Sequence, residues 1–259
     1  MAPPRGPVIA CVDGSSYLAS VCDHAATIAA RLGVGIELLH VAEPAGAADP
    51  AVRLHGQGRS GRDPVVQDAV ARLTDNGAEL DELFCADGGF VPVAARLARR
   101  ASCLVLGRRG LASERRRSGL GGNIEQILRT VDTAVCLAPK LHLPGRRALI
   151  LYDERRPNPG FAGFLASHPA LDGFSFEIAT IAPGAPAPTG GTRVTQLGGG
   201  SAPGQCPASA LTQYFAEKHC DLIVAPRSVL LDCAEDMAAL ASALAAWRVP
   251  ILFPPRLDP

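Results

Sequence analysis

One stretch constrains this chain more than any other: an apolar run that breaks off into a glycine loop and then feeds a helix. Residues 103–139 read CLVLGRRGLASERRRSGLGGNIEQILRTVDTAVCLAP. The run Cys103 to Leu106 ends in Gly107-Arg108-Arg109-Gly110. A polar segment with Arg115, Arg116 and Arg117 follows, and Gly119, Gly121 and Gly122 precede Asn123. Ile124, Ile127, Leu128 and Val131 then recur at the spacing of one helical face. A second apolar run, Ala134 to Ala138, closes at Pro139. A glycine loop that opens a helix presents unpaired backbone N–H groups and the positive end of the helix dipole, which suits an anion such as a phosphate. Arg108, Arg109 and the 115–117 cluster could hold phosphate oxygens bidentately, or could form a solvated charged loop.

Upstream, the same alternation of strand and helix signals recurs. The run Pro7 to Val12 ends at Asp13-Gly14-Ser15-Ser16, and Leu18, Val21, Cys22, Ala25, Ile28, Ala29 and Leu32 form one helical stripe that Gly33 stops. Ile36 to Val41 is a second strand, so this β-loop-α-β unit predicts a parallel sheet with a right-handed crossover. The Gly-, Ala-, Pro- and Arg-rich residues Glu43 to Pro64 read as a long surface loop. A helix through Val65 to Leu73, a strand from Leu80 to Ala86 and a helix opened by Gly88-Gly89 complete a doubly wound unit ending near Pro139.

After a Pro/Gly linker, Lys140 to Arg146, the pattern restarts. ALILYD at Ala148–Asp153 parallels VIACVD at Val8–Asp13; DLIVAPRS at Asp221–Ser228 parallels CLVLGRRG at Cys103–Gly110; VPILFPP at Val249–Pro255 parallels TAVCLAP at Thr133–Pro139. Three strands repeated in one order predict a tandem duplication, with units at 1–140 and 147–259. The expected fold class is α/β: two doubly wound parallel-sheet domains. The second copy keeps Asp153 but has Ala225, Pro226 and Ser228 where Gly107, Arg108 and Gly110 stood. Glu235 and Asp236 open its last helix, where carboxylates would satisfy the dipole and repel phosphate. The helical stripe of Met237, Leu240, Ala241, Leu244 and Trp247 reads as core, and the Pro/Gly/Ser-rich residues Pro183 to Pro207 predict the loss of the second helix.

The stretch from Cys103 to Pro139 resembles the C-terminal signature of the universal stress protein family: a strand, Gly-x2-Gly, about nine residues, Gly-Ser or Gly-Thr, and a helix. Gly107 and Gly110 match the first pair, and Gly121-Gly122-Asn123 stands where the family often has Gly-Ser-Asn. Two features depart from it. The spacer Leu111 to Leu120 is one residue longer, and Gly122 replaces the hydroxyl residue that would touch a phosphate. The resemblance implies an adenine-nucleotide-binding-type topology and an ATP site, with magnesium, in the first unit. It places Asp13 and Val41 against the nucleoside, and Gly107, Arg109, Gly110, Gly121, Gly122 and Asn123 around the phosphates. On its own residues, Asp13 is equally readable as a turn or N-cap carboxylate. The resemblance also implies that the last strands of the two units meet, Ala134 to Ala138 against Ile251 to Phe253, and it leaves a further homodimer open.

Composition narrows the alternatives. The 25 basic and 25 acidic residues balance, which argues against bulk electrostatic binding to nucleic acid or an anionic membrane. Aromatic residues are 5%, too sparse for base-stacking platforms. No apolar run approaches a membrane span, and no signal-peptide core precedes Pro7, so the expected compartment is the cytoplasm. The eight cysteines form no CxxC pair and read as reduced core thiols, with redox sensing the alternative for Cys206 and Cys233, whose surroundings are less apolar. The six histidines show no ligand spacing and no partnered nucleophile. No Gly-x-Gly-x-x-Gly opens the first helix, no Gly-x4-Gly-Lys-Ser/Thr loop is present, and a pyrophosphate-binding Ser-Gly-Gly-x-Asp-Ser motif is also missing. The expectation is therefore a regulatory, non-catalytic nucleotide binder, with an interaction scaffold that binds no nucleotide as the alternative.

Overall fold

Period-two burial makes the strands of this protein. In β1 (Val8–Val12), Ile9 and Cys11 enter one apolar cluster while Val8, Ala10 and Val12 enter another on the opposite face. The same alternation runs through β5 (Cys103–Gly107) and β6 (Ala134–Ala138), so the sheet is covered on both faces. The computed structural model describes residues 6–42, 53–55, 63–113, 121–142, 144–152, 159–180, 193–196, 219–231 and 248–256. Asp153, Arg115–Arg117, Gly119, the stripe from Met237 to Trp247 and most of Pro183 to Pro207 lie outside these residues.

The helices start and stop where local chemistry requires. Helix α1 (Leu18–Leu32) ends at Gly33, whose φ of 64° is left-handed and whose N–H returns to the Ala29 carbonyl. Strand β2 (Ile36–Ala42) follows. Helix α2 (Pro64–Asp75) is capped by Asp63, which accepts the Val65 N–H at 2.9 Å, with Pro64 in the first turn where no donor is missed. After β4 (Leu80–Asp87), helix α3 (Phe90–Ala98) buries Val93, Ala94 and Leu97. Helix α4 (Gly122–Thr130) buries Ile124, Ile127 and Leu128.

One departure falls in the loop expected over Glu43 to Pro64. Residues Arg53–His55 form a short strand, β3, antiparallel to β4 in the register Arg53↔Asp87. Backbone pairing at an open sheet edge needs no apolar periodicity in the added strand, so the sequence carries no signal for it.

The second half contributes β7 (Arg147–Tyr152), α5 (Pro159–Ser167), β8 (Ser175–Thr180), β9 (Arg193–Gln196), β10 (Leu222–Val224), the short helix α6 (Arg227–Leu231) and β11 (Ile251–Phe253). Among the described residues all eleven strands form one sheet, ordered β3-β4-β2-β1-β5-β6-β11-β10-β7-β8-β9. Outward from β6 the parallel strands run β5, β1, β2, β4; outward from β11 they run β10, β7, β8, β9. The two orders match, and β6 and β11 join them as an antiparallel pair, with Ile251↔Leu137, Leu252↔Cys136 and Phe253↔Val135. The meeting of last strands expected from the sequence is thus present.

Six of the eight cysteines are described, and all are free thiols. Burial pushes the Cys22, Cys136 and Cys220 thiols up to about 12, far from the range of a reactive thiolate.

Candidate functional site

Strands β1 and β5 lie side by side and parallel, with Cys11 opposite Leu106. From β1 the chain crosses to β2 on one side, and from β5 to β6 on the other. The loops after β1 and β5 therefore diverge, and the carboxyl ends of these two strands are the place where open α/β sheets form their ligand crevice.

Asp13 and Gly107 stand at that point. The Asp13 carboxylate accepts the Ser15 N–H through Oδ1 at 3.2 Å and the Leu111 N–H through Oδ2 at 2.8 Å. Gly110 lets the loop come this close: a Cβ there would lie 2.7 Å from Asp13 Oδ2. Gly107 is required for a different reason, since a Cβ would meet the Tyr17 Cβ at 2.6 Å. Tyr17 is buried, and the Lys140 ammonium stands 5.7 Å from its ring centroid, which brings a cation to this corner. Gly121 closes the loop, donating its N–H to the Arg108 carbonyl at 2.8 Å, and a Cβ added there would lie 3.4 Å from the Arg109 Cα.

Asp13, Gly107, Arg109, Gly110 and Gly121 are thereby brought into one cluster. Gly122 and Asn123 are exposed in the first turn of α4, whose N-cap, Gly121, contributes no side-chain hydrogen bond. An added Cβ at Gly122 would meet nothing within 4 Å. Val41 is half-buried; the register Val12↔His40 puts it beside Asp13 at the end of β2.

Two side chains near the crevice carried no sequence signal. His40 has Nδ1 3.0 Å from the Val12 carbonyl and Nε2 3.6 Å from Asp63 Oδ2, tying the helix cap of α2 to the end of β2. Tyr17, the N-cap of α1, packs against Gly107. Neither position belongs to a motif, because each acts through neighbours distant in the chain.

Arg108 corrects the reading of the arginine cluster. It was a candidate phosphate ligand, but its side chain is 1% exposed and its guanidinium donates across the junction to the Val249 carbonyl. Burial lowers its pKa to about 10, which still leaves it charged at neutral pH. Arg227 reaches back from the other half. It donates to the Pro254 carbonyl at 3.2 Å and the Leu128 carbonyl at 3.0 Å, and also to the carbonyls of Val131 and Thr133. Thr133 and Val249 occupy matching places in the sequence repeat, so the two arginines bridge the junction in opposite directions.

The equivalent crevice of the second half lies between β7 and β10. Ala225 and Pro226 follow β10 and lead at once into α6, so no glycine loop forms there.

The strand order, the switch point and the glycine loop define an α/β protein of nucleotide-binding-type topology. The model of the universal stress protein family matches residues 4–139, just over half of the chain, and the chain belongs to that family. A universal stress protein of Archaeoglobus fulgidus is similar over 98% of this chain and 97% of its own, at 14% identity and a TM-score of 0.60. A putative universal stress protein of Pseudomonas aeruginosa UCBPP-PA14 is similar over 96% and 93%, at 11% identity and a TM-score of 0.62. A functionally unknown protein of Pseudomonas aeruginosa PAO1 is similar over 97% and 93%, at 10% identity and a TM-score of 0.59. At these identities the likeness is one of fold. No curated protein matches the chain. Among the described residues no helix is long and apolar enough to cross a membrane.

Proposed function

We propose that the N-terminal half binds an adenine nucleotide, ATP with its magnesium ion being the first candidate, and that the protein is a nucleotide-responsive regulator rather than an enzyme. Residues 1–140 and 147–259 are then two units, the second serving as a structural partner without nucleotide. Asp13 and Val41 would hold the nucleoside. Gly107, Arg109, Gly110, Gly121, Gly122 and Asn123 would surround the phosphates, chiefly through backbone N–H groups, Gly121 by close approach because its own N–H serves the Arg108 carbonyl.

The observation that carries this reading is the convergence of Asp13 and the glycine loop beside the uncapped start of α4, which suits a phosphate. Both oxygens of Asp13 accept backbone N–H groups, so it positions rather than takes protons. Fast hydrolysis is not expected.

A second reading, a scaffold that binds no nucleotide, is favoured by the same bond seen from the other side. The Leu111 N–H already occupies Asp13 Oδ2, and the loop itself covers that part of the crevice.

Gly122→Asp separates the two. The position is open, and a carboxylate there favours the helix dipole by about 0.3–1 kcal/mol while repelling a phosphate. With MgATP near 100 times Kd, the wild type should gain about 2.7 kcal/mol in stability. The variant should fold and show no such gain. A wild type that neither shifts nor retains nucleotide on purification would establish the scaffold.

A further inference from the structure

A cavity of about 380 Å³ lies at the other end of the sheet from Asp13, by the amino ends of β5 and β10. The length of β5 separates the two places, about 13 Å of strand. The volume falls within the range of pockets that take small molecules. Its floor is the junction itself: Cys103 and Cys136 from one half, Leu222 and Leu252 from the other. Ile28 of α1 and Phe174, which precedes β8, form apolar walls.

Thr27, His24, His142 and His168 supply polar groups, and the charged side chains of the lining are not balanced. Arg31 and Arg146 line the cavity together with one carboxylate, Asp221. Asp221 is already committed, since its Oδ2 accepts the N–H groups of Arg146 and Arg147 at 2.9 Å each. Asp23, on the neighbouring turn of α1, is held by Arg72 at 2.7 and 2.8 Å and by Asn76 at 2.8 Å. Asp172, on the turn before β8, is exposed and acts on Arg31 through its charge alone. Arg31 donates to the Ala170 carbonyl at 3.0 Å and lies 4.7 Å over the Phe174 ring. Its pKa is lowered by burial and then by the positive charge of Arg146, two effects that an anion placed between the guanidiniums would relieve.

A further polar point lies inside. His168 is 5% exposed and lines the cavity, and its Nδ1 has no hydrogen-bond partner among the described residues. Such a buried polar atom costs free energy unless something pairs with it.

We infer that this cavity binds an amphipathic organic acid, an apolar body on the junction floor with its carboxylate between Arg31 and Arg146. Because the floor comes from both halves, such a ligand would tie the two halves together. The inference stands apart from the nucleotide reading, whose residues lie at the opposite end of the strands.

Octanoate is the probe, with octanol and octylammonium as matched controls, on the full chain. Displacement of a bound anilinonaphthalene sulfonate dye and the thermal unfolding midpoint report binding. Octanoate should displace the dye and raise the midpoint, octanol should do so weakly, and octylammonium should not. Arg146→Gln removes an exposed side chain, leaves the fold intact, and should weaken octanoate about tenfold while leaving octanol unchanged. Arg31→Gln should act in the same direction. MgATP should not compete. Equal binding of all three probes would overturn the assignment of an acid, and an unchanged Arg146→Gln would overturn its placement. No displacement by any probe would overturn the cavity as a site.

Discussion

Cys136 of β6 stands directly opposite Leu252 of β11, and this pair is the centre about which the two halves of the sheet are related. In the repeat, Val135 corresponds to Ile251 and Leu137 to Phe253. In the sheet, Val135 faces Phe253 and Leu137 faces Ile251. Cys136 therefore meets its own counterpart, and Val135 and Leu137 each meet the counterpart of the other, across a local two-fold. Leu252 is 4% exposed, so Leu252→Ala should lower unfolding stability by about 2–5 kcal/mol, read from a urea titration. A loss under about 1 kcal/mol would show that the junction is held elsewhere.

Arg227 should be the costliest arginine to remove. Its guanidinium serves the carbonyls of Pro254, Leu128, Val131 and Thr133, and Met in its place would remove this donor from all four, with Leu128 keeping only Arg256 at 3.4 Å. We expect Arg227→Met to cost at least about 3 kcal/mol, because each buried carbonyl left unsatisfied costs about 1–3 kcal/mol. Arg129→Ala, which breaks an exposed pair with Glu125 at 2.9 Å and an exposed donation to the Leu231 carbonyl at 3.2 Å, should cost only about 1 kcal/mol. Equal losses in the two variants would refute the bridging role of Arg227.

The loop glycines should separate by mutation to alanine. Gly107→Ala drives a methyl to within 2.6 Å of the Tyr17 Cβ and should destabilise by about 1–3 kcal/mol. Gly122→Ala enters open space in the first turn of α4 and should be neutral, or stabilising by up to about 1 kcal/mol. Chemical denaturation of the two variants side by side is the check.

Stability should fall on mild acidification because two histidines are buried neutral. His24 donates from Nδ1 to the Ser20 carbonyl at 2.7 Å, and His168 lies against Phe164 with ring centroids 4.4 Å apart. Burial lowers the pKa of each from 6.5 to about 4. Between these values the unfolded chain binds more protons than the folded one, so stability is full above the unfolded pKa and is lost as pH falls towards the folded one. At about 1.4 kcal/mol per unit, the effect reaches a few kcal/mol. Urea midpoints between about pH 7 and pH 4.5 should fall steeply in the wild type and less steeply in His168→Phe. A flat profile would mean that neither ring is buried neutral.

The strands and helices of the first half could be read from the chain because each is set locally. Alternating apolar residues fix β1 and β5, a left-handed glycine ends α1, and Asp63-Pro64 starts α2. The pairing of β6 with β11 came instead from the resemblance to the family, with which the short, apolar, uncharged strands agree. Local signals did not reach β3, an edge strand defined by its partner's backbone.

Sequence alone thus determined the α/β class, the repeated strand order and the glycines that crowd Asp13, because burial period and backbone freedom are properties of short segments. Only tertiary structure decided where the long side chains go. Arg108 looked like a phosphate ligand and became a buried tie to Val249, and Arg227 became its counterpart. A flexible side chain can reach in several directions from one backbone position. The carbonyls that select among these directions lie about a hundred residues or more away in the chain and become neighbours only when the two halves of the sheet meet.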